Sequence, residues 1–205
     1  MRKGINSLSK STEINSQFLL GYQLAYEPKG ERIPWKRIFN LWFEAAHKNH
    51  SRAQFYVATC YDFGTGVKKN KSLAFKWYLA SAKQGHVDAQ YNVGISYKNG
   101  DLIAKDFRKA FYWFSRAAKQ GDAEAQREIG YCFFHGKGVK LNLYKGVLWY
   151  KKAAAKKDRK ATYNLGLCYK WGEGVKQSNR WALHYFKKAQ LLGHTEAQSH
   201  IVALT

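Results

Sequence analysis

Residues 53–88 read AQFYVATCYDFGTGVKKNKSLAFKWYLASAKQGHVD, and residues 161–196 read ATYNLGLCYKWGEGVKQSNRWALHYFKKAQLLGHTE. The two stretches match at small, glycine and aromatic positions, and further copies begin at Ala89 and Ala125, 36 residues apart. All four copies carry a glycine at the same position, namely Gly64, Gly100, Gly136 and Gly172. A fixed period of this length indicates a protein built from repeats of one supersecondary unit.

Each copy predicts two helices. Small or apolar residues recur at helical spacing in the first half of a copy, as at Ala53, Val57, Ala58 and Tyr61. The glycines that follow end this helix, because glycine readily adopts positive φ. A residue type suited to a helix N-cap then opens the second helix, at Asn70, Asp106, Asn142 and Ser178. The sequence therefore predicts an all-α fold of helix–loop–helix repeats.

The repeat frame divides the whole chain. Extended backwards, it predicts a degenerate unit over 17–52 and leaves a leader, residues 1–16, that we expect to be flexible. We expect residues 197–205 to form a helix that caps the last repeat, as repeat arrays commonly require. Residues 17–205 are thus predicted to be a single repeat domain, with units 17–52, 53–88, 89–124, 125–160 and 161–196.

Composition narrows the class of protein. The 205 residues include 35 Lys and Arg against 14 Asp and Glu, a net charge of +21, yet 45% hydrophobic residues indicate a folded chain. No apolar run approaches the ~18 residues that a membrane span needs. Three cysteines are too few for a disulfide scaffold, and the polar N-terminus lacks a secretory signal pattern. We therefore expect a cytoplasmic protein.

No catalytic or cofactor motif stands out. The glycine pairs, such as Gly64 and Gly66, have no preceding strand and no following Gly-Lys-Ser/Thr, so they do not form a phosphate loop. Cys132 and His135 could share a metal ion, but no second pair at ligand spacing accompanies them, and packing explains them better. We expect no enzymatic activity, no metal and no cofactor.

The repeat pattern resembles a known family. Its form, A-x-x-x-Φ-G-x-x-Y-x-x-G-x-G-V followed by K-A-x-x-W-Y-x-x-A-A-x-x-G, is similar to the Sel-1-like repeat, a relative of the tetratricopeptide repeat. The resemblance covers residues 53–196 as four copies and 17–52 weakly. It implies a right-handed α-solenoid with a C-terminal capping helix, and a scaffold or adaptor for protein–protein interaction. Many members are bacterial, and some are effectors or immunity proteins against toxins.

In repeats of this type the first helices line the concave face, which directs attention to their variable positions. These positions mix aromatic side chains with Asn and His, a composition typical of a recognition surface. The candidate partner-binding residues are Tyr56, Phe63, Asn92, Ile95, Asn99, Tyr131, His135, Asn164 and Trp171. The alternative interpretation is that some of them pack between units.

The positive charge is concentrated in unit 125–160, which carries +8. The predicted basic patch consists of Lys145, Lys151, Lys152, Lys156, Lys157, Arg159 and Lys160. It favours an acidic protein or peptide as the partner. Two alternatives remain at this point: non-specific binding of nucleic acid through the same charge, and peripheral binding to an anionic membrane, for which no amphipathic anchor or lipidation signal is evident.

Overall fold

The computed structural model describes residues 2–27, 33–101 and 103–205, with side chains from residue 12 onwards. In this part of the chain all regular structure is helical, which confirms the predicted all-α fold. The helices are α1 (Arg2–Tyr26), α2 (Trp35–His47), α3 (Ser51–Phe63), α4 (Lys71–Lys83), α5 (Val87–Asn99), α6 (Phe107–Lys119), α7 (Ala123–His135), α8 (Leu143–Ala155), α9 (Arg159–Trp171), α10 (Asn179–Leu191) and α11 (Ala197–Val202). None of the described helices is long and apolar enough to cross a membrane.

The chain folds into two compact units, Met1–Val93 and Gly94–Thr205, and the division falls within α5. The sequence predicted one domain over 17–205 and did not predict this division. Within the first unit α1 packs on α2, α2 on α3 and α3 on α4; within the second, each helix from α6 to α11 packs on the next.

The two ends of the chain differ in detail from the predicted segments. Residues 2–16 continue α1, so the predicted boundary between residues 16 and 17 falls inside a helix. The flexibility of residues 1–16 stays a prediction. At the other end α11 begins at the predicted residue, Ala197, and ends at Val202, with Ala197 and Ile201 buried against α10.

Side-chain caps define where the helices begin. The predicted N-caps of the second helices are confirmed, since Asn70, Asp106, Asn142 and Ser178 each accept a hydrogen bond from the backbone N–H three residues on. The first helices begin at caps that the sequence did not predict. These caps are His50, His86, Asp122 and Asp158, each three residues before the alanine of its unit.

The two glycines of the loop after α7 have different structural roles. Gly136 ends α7 in the left-handed conformation, with φ of +64°, and its N–H bonds back to the Cys132 carbonyl. Gly138, with φ of +73°, lies directly against the backbone of α6, so that a Cβ there would overlap the Phe107 carbonyl oxygen. The second glycine therefore lets the loop of one repeat touch the preceding repeat.

The core repeats one contact in three of the copies. An aromatic ring on the second helix covers a small residue on the first; the pairs with glycine are Gly94 with Phe114, Gly130 with Tyr150, and Gly166 with Phe186. Phe114 and Phe186 are completely buried. The ring lies so close to the backbone of the glycine that no side chain would fit there. The two helices of each of these repeats therefore pack close together.

Candidate functional site

A polar cleft of about 320 Å³ lies between α7 and α9, the first helices of two consecutive repeats, and the turn before α11. It is lined by Arg127, Glu128, Tyr131, Lys160, Tyr163, Asn164, His194 and Glu196. Two of these, Tyr131 and Asn164, belong to the predicted partner-binding set. The sequence pattern places them there because α7 and α9 occupy equivalent positions in consecutive repeats.

A chain of ion pairs runs beneath the cleft. Lys98 Nζ lies 2.7 Å from Glu128 Oε2, Arg127 lies 3.5 Å from the other oxygen of Glu128, and Arg127 also lies 2.7 Å from Asp158. The side chains of Glu128 and Asp158 are 9% and 7% exposed. Because charges this deeply buried cost desolvation energy unless they are paired, the network holds α5, α7 and α9 in one arrangement.

Asp158 links the network to the backbone, since its carboxylate also caps α9 by accepting from the Ala161 N–H at 2.7 Å. One side chain therefore fixes both the start of α9 and the orientation of the Arg127 guanidinium. The cleft floor is preorganised by these contacts, and a preorganised surface loses less entropy when it binds a ligand.

Beside the network the cleft carries groups able to exchange hydrogen bonds. His194 stacks on Tyr163 with ring centroids 4.1 Å apart, and its Nδ1 is buried with no hydrogen-bond partner in the described structure. Burial lowers the pKa of His194, against the opposing effect of Glu196. Asn164 and Lys160 also line the cleft, and their amide and ammonium groups can bind a polar or anionic group.

The predicted partner-binding residues in the first compact unit, residues 1–93, differ in their burial. Tyr56 is half-buried against α1 and α2, with its ring 4.6 Å from Trp42 and 5.8 Å from Phe18, and burial raises its pKa to about 12. Tyr56 is therefore a packing residue, as the alternative interpretation allowed. Phe63 is 73% exposed at the end of α3, and Asn92 is half-buried in α5.

The remaining predicted residues lie in the second unit. Ile95 is half-buried and Asn99 is exposed, both on α5. Tyr131 has the exposed His135 ring 4.3 Å away and Lys98 Nζ 5.0 Å above it. Trp171 is 61% exposed at the end of α9. The structure thus brings Tyr131 and Asn164 to the cleft and leaves Trp171 outside the set of residues that line it.

The predicted basic patch separates into three parts. Lys145, Lys151 and Lys152 are exposed on α8. Lys156 donates to the Gly121 carbonyl at 2.6 Å, and Lys157 adopts a positive φ of 63° in the turn after α8, where other repeats have glycine. Arg159 and Lys160 are exposed in the first turn of α9, and Lys160 alone of the seven lines the cleft.

The cysteines and histidines provide no sign of chemistry. Cys60, Cys132 and Cys168 are free and buried, and burial raises the pKa of each thiol to about 12, which keeps it protonated and unreactive. Among the described residues, no three His, Cys, Asp or Glu side chains are placed to hold a metal ion.

Sequence reasoning missed most of the ion-pair network. Arg127 and Asp158 follow no composition signal, since single charges next to a helix start usually lie in solvent. Asp158 did carry one usable signal: it lies three residues before Ala161, as His50, His86, Asp122 and His194 precede the alanines of the other units. Three of the seven histidines, His50, His86 and His194, recur at this position.

The repeated helix pairs match a known family of repeat proteins. The Sel1 repeat model matches residues 51–86, 87–122, 123–158 and 159–194, more than two thirds of the chain. The protein therefore belongs to the Sel1 repeat family, as its sequence pattern indicated. Sel1 repeats form α-solenoids that serve as protein-interaction scaffolds.

Two solved structures from bacteria are similar over nearly the whole chain. A Sel1 repeat protein from Oxalobacter formigenes is 31% identical with a TM-score of 0.83, covering 93% of this chain and 78% of its own. A protective antigen of uropathogenic Escherichia coli with an SLR fold is 27% identical with a TM-score of 0.86, covering 96% of this chain. This chain spans 42% of the length of that antigen.

An immunity protein from Pseudomonas aeruginosa shares the fold at 22% identity and a TM-score of 0.53, over 90% of this chain and 68% of its own. No protein with a curated description matched the sequence.

Proposed function

We propose that this protein is a scaffold that binds an acidic protein or peptide through the first-helix face of residues 94–205. The observation that carries the proposal is the cleft, where Tyr131, Asn164 and Lys160 surround a floor held by buried ion pairs. Tyrosine anchors on rigid supports are typical of binding hot spots.

The acidic character of the partner rests on the charge of the chain. A net charge of +21 raises the local concentration of any anionic protein and speeds its encounter with the scaffold. Within the cleft the charges of Arg127 and Glu128 are satisfied by their buried partners. Lys160 makes no salt bridge among the described residues, which leaves it available to a carboxylate of the partner.

We propose a cytoplasmic location, supported by three cysteines that are all free and buried. Effector and toxin-immunity roles are both compatible with such a scaffold. The genes beside this one separate the two, since a neighbouring toxin gene supports immunity.

The test is capture of the partner by the intact protein, followed by measurement of its affinity. Tyr131→Ala should weaken binding by at least ~2 kcal/mol, mainly through faster dissociation, because a central aromatic anchor is lost. Tyr112→Ala is the matched control, since Tyr112 is 51% exposed on α6, away from the cleft. Equal affinity of the two variants, or loss of all binding after nuclease treatment, would overturn the proposal.

A further inference from the structure

The second helices of residues 94–205 share an unusual distribution of charge. Helices α6, α8 and α10 together carry ten Lys and Arg and no Asp or Glu. The acidic residues of this unit lie on α7 or in the caps and loops, and the cap Asp106 lies 3.4 Å from Lys109. The outward side of the second helices is therefore strongly cationic.

Cations and exposed apolar side chains share one face of each second helix. Positions 109, 112, 116 and 119 of α6, and the equivalent positions in α8 and α10, lie on one helix face. The basic–apolar stripe, as we call it, consists of Lys109, Tyr112, Arg116 and Lys119; Lys145, Leu148, Lys152 and Ala155; and Trp181, His184, Lys188 and Leu191.

The stripe points away from the core. The buried residues of α6 are Ala110, Trp113, Phe114, Ala117 and Ala118; those of α8 are Gly146, Val147, Tyr150, Ala153 and Ala154; and those of α10 are Ala182, Phe186 and Ala189. On the stripe, by contrast, the large apolar side chains are open to solvent: Tyr112 is 51% exposed, Leu148 39%, Trp181 49% and Leu191 88%. Tyr144, one turn before Leu148, is 63% exposed. Exposed apolar groups that recur in three consecutive repeats indicate a surface that is covered in use.

We propose that the basic–apolar stripe is a docking surface for an anionic phospholipid bilayer. Lysines and arginines would bind the headgroups, and the Tyr, Trp and Leu side chains would enter the interface, where aromatic residues are favoured. This surface is distinct from the cleft on the first helices, so the scaffold would present its protein partner at a membrane.

Charge and side-chain type favour a lipid surface over the other anionic partners. The surface of a protein partner carries both positive and negative charges. Three helices that carry cations and no carboxylate can pair only with its negative charges. Nucleic acid would use the cations and stack on aromatic faces, but aliphatic Leu148 and Leu191 offer it nothing. The Trp149 ring beside Leu148 is moreover already covered, with Lys152 Nζ 4.2 Å from its centroid.

A groove on α8 could accept part of a lipid molecule. A shallow groove of about 470 Å³ runs along this helix, lined by Lys145, Leu148, Trp149, Lys151, Lys152 and Ala155. Its lining combines three lysines with three apolar residues, the composition expected of a site that takes an acyl chain together with its charged headgroup.

The test is co-sedimentation of the intact protein with phosphatidylcholine vesicles that contain or lack phosphatidylglycerol. We expect binding only when the anionic lipid is present. Lys145→Glu with Lys152→Glu should lower vesicle affinity at least about tenfold, because each basic residue near an anionic surface contributes to binding. The matched control is Lys68→Glu with Lys69→Glu, an equal change of charge at exposed positions in the loop after α3, which should retain most of the binding.

Leu148→Ser with Leu191→Ser tests the apolar half of the surface without changing the charge. Both side chains are exposed, so the variant should fold, and circular dichroism checks this. We expect it to lose binding several-fold at high salt, where electrostatic attraction is screened. Partner capture by the cleft should be unaffected in all these variants, which separates this proposal from the proposed function.

Three results would overturn the lipid assignment. The first is no sedimentation with anionic vesicles, and the second is equal loss in the two lysine pairs, which would show a mere effect of net charge. The third is displacement of the vesicles by random RNA together with unchanged binding of the leucine variant, which would identify nucleic acid as the occupant.

Discussion

Single glycines decide how closely successive repeats approach. Gly136 and Gly138 both have positive φ, yet they differ in what surrounds them. A Cβ at Gly136 would meet the Leu141 Cβ at 3.5 Å, an ordinary contact, whereas one at Gly138 would overlap the Phe107 carbonyl oxygen. In the sequence both glycines belong to the same G-x-G motif. Only the structure shows that the first ends a helix and the second contacts the preceding repeat.

The two glycines should therefore respond differently to alanine. Gly136→Ala should reduce the free energy of unfolding by about 1–2 kcal/mol, the cost of the left-handed conformation. Gly138→Ala should cost at least about 3 kcal/mol, because overpacking against backbone adds to that strain. Chemical denaturation of both variants measures the difference, and equal midpoints would show that the loop does not rest on α6.

At the scale of the helix, the N-caps fall into two chemical kinds. Asp122 and Asp158 cap α7 and α9 with carboxylates, while His50 and His86 cap α3 and α5 through Nδ1. An imidazole can accept this hydrogen bond only when Nδ1 is unprotonated. The histidine-capped helices are therefore sensitive to acid in a range where the aspartate-capped helices are not.

The pKa values of His50 and His86 are lowered by burial, and Arg52 lowers both further while Asp88 opposes the shift at His86. The unfolded chain then binds more protons than the native state. This contribution to stability is complete above the unfolded pKa of about 6.5 and is lost as the pH falls through the lowered native values.

Replacing both caps with the residue used in the other repeats should remove this acid sensitivity. We expect the melting temperature of the wild type to fall between about pH 7.5 and 5.5, and that of His50→Asp with His86→Asp to fall less. The slope is the measure, because His50 also stacks on Phe18 and its loss lowers stability at every pH. His184→Gln, at an exposed histidine outside the caps, should keep the wild-type slope; a wild-type slope in the double variant would refute the capping argument.

Helices were predictable from the sequence because their signals are local. The caps Asn70, Asp106, Asn142 and Ser178 lie immediately before an apolar face, and both features repeat at a fixed period. The cleft was predictable only in part. Tyr131 and Asn164 followed from variable positions on the first helices, but the pairing of Arg127 with Asp158 joins residues 31 apart and depends on how α7 and α9 pack.

The predicted partner-binding residues also included Tyr56, which packs on α1. The degenerate unit 17–52 lacks the regular pattern, so the sequence did not reveal that Phe18, Tyr22 and Tyr26 would cover this ring. An aromatic residue at a variable position can be an anchor for a partner or part of the core. Only the neighbouring element determines which.

Across the whole molecule, the two helices of each repeat have different surfaces. In residues 94–205 the first helices contribute a polar cleft with balanced charges, and the second helices contribute cations and exposed apolar side chains without a carboxylate. A single repeat sequence can maintain both, because residues of the core occupy only one side of each helix. The positive charge of residues 94–205 is thus unevenly distributed, because the cleft on the first helices is less basic than the surface of the second helices.

Site-specific photo-crosslinking tests most directly whether the first-helix face binds a protein. A benzophenone amino acid would replace Tyr131 in the cleft, and Tyr112 on the second-helix face in a parallel sample, each in the intact protein within its host. We predict a discrete, nuclease-resistant protein adduct from position 131 that is absent at position 112. Protein adducts from position 112 alone, or none from position 131 beyond nuclease-sensitive material, would contradict the account.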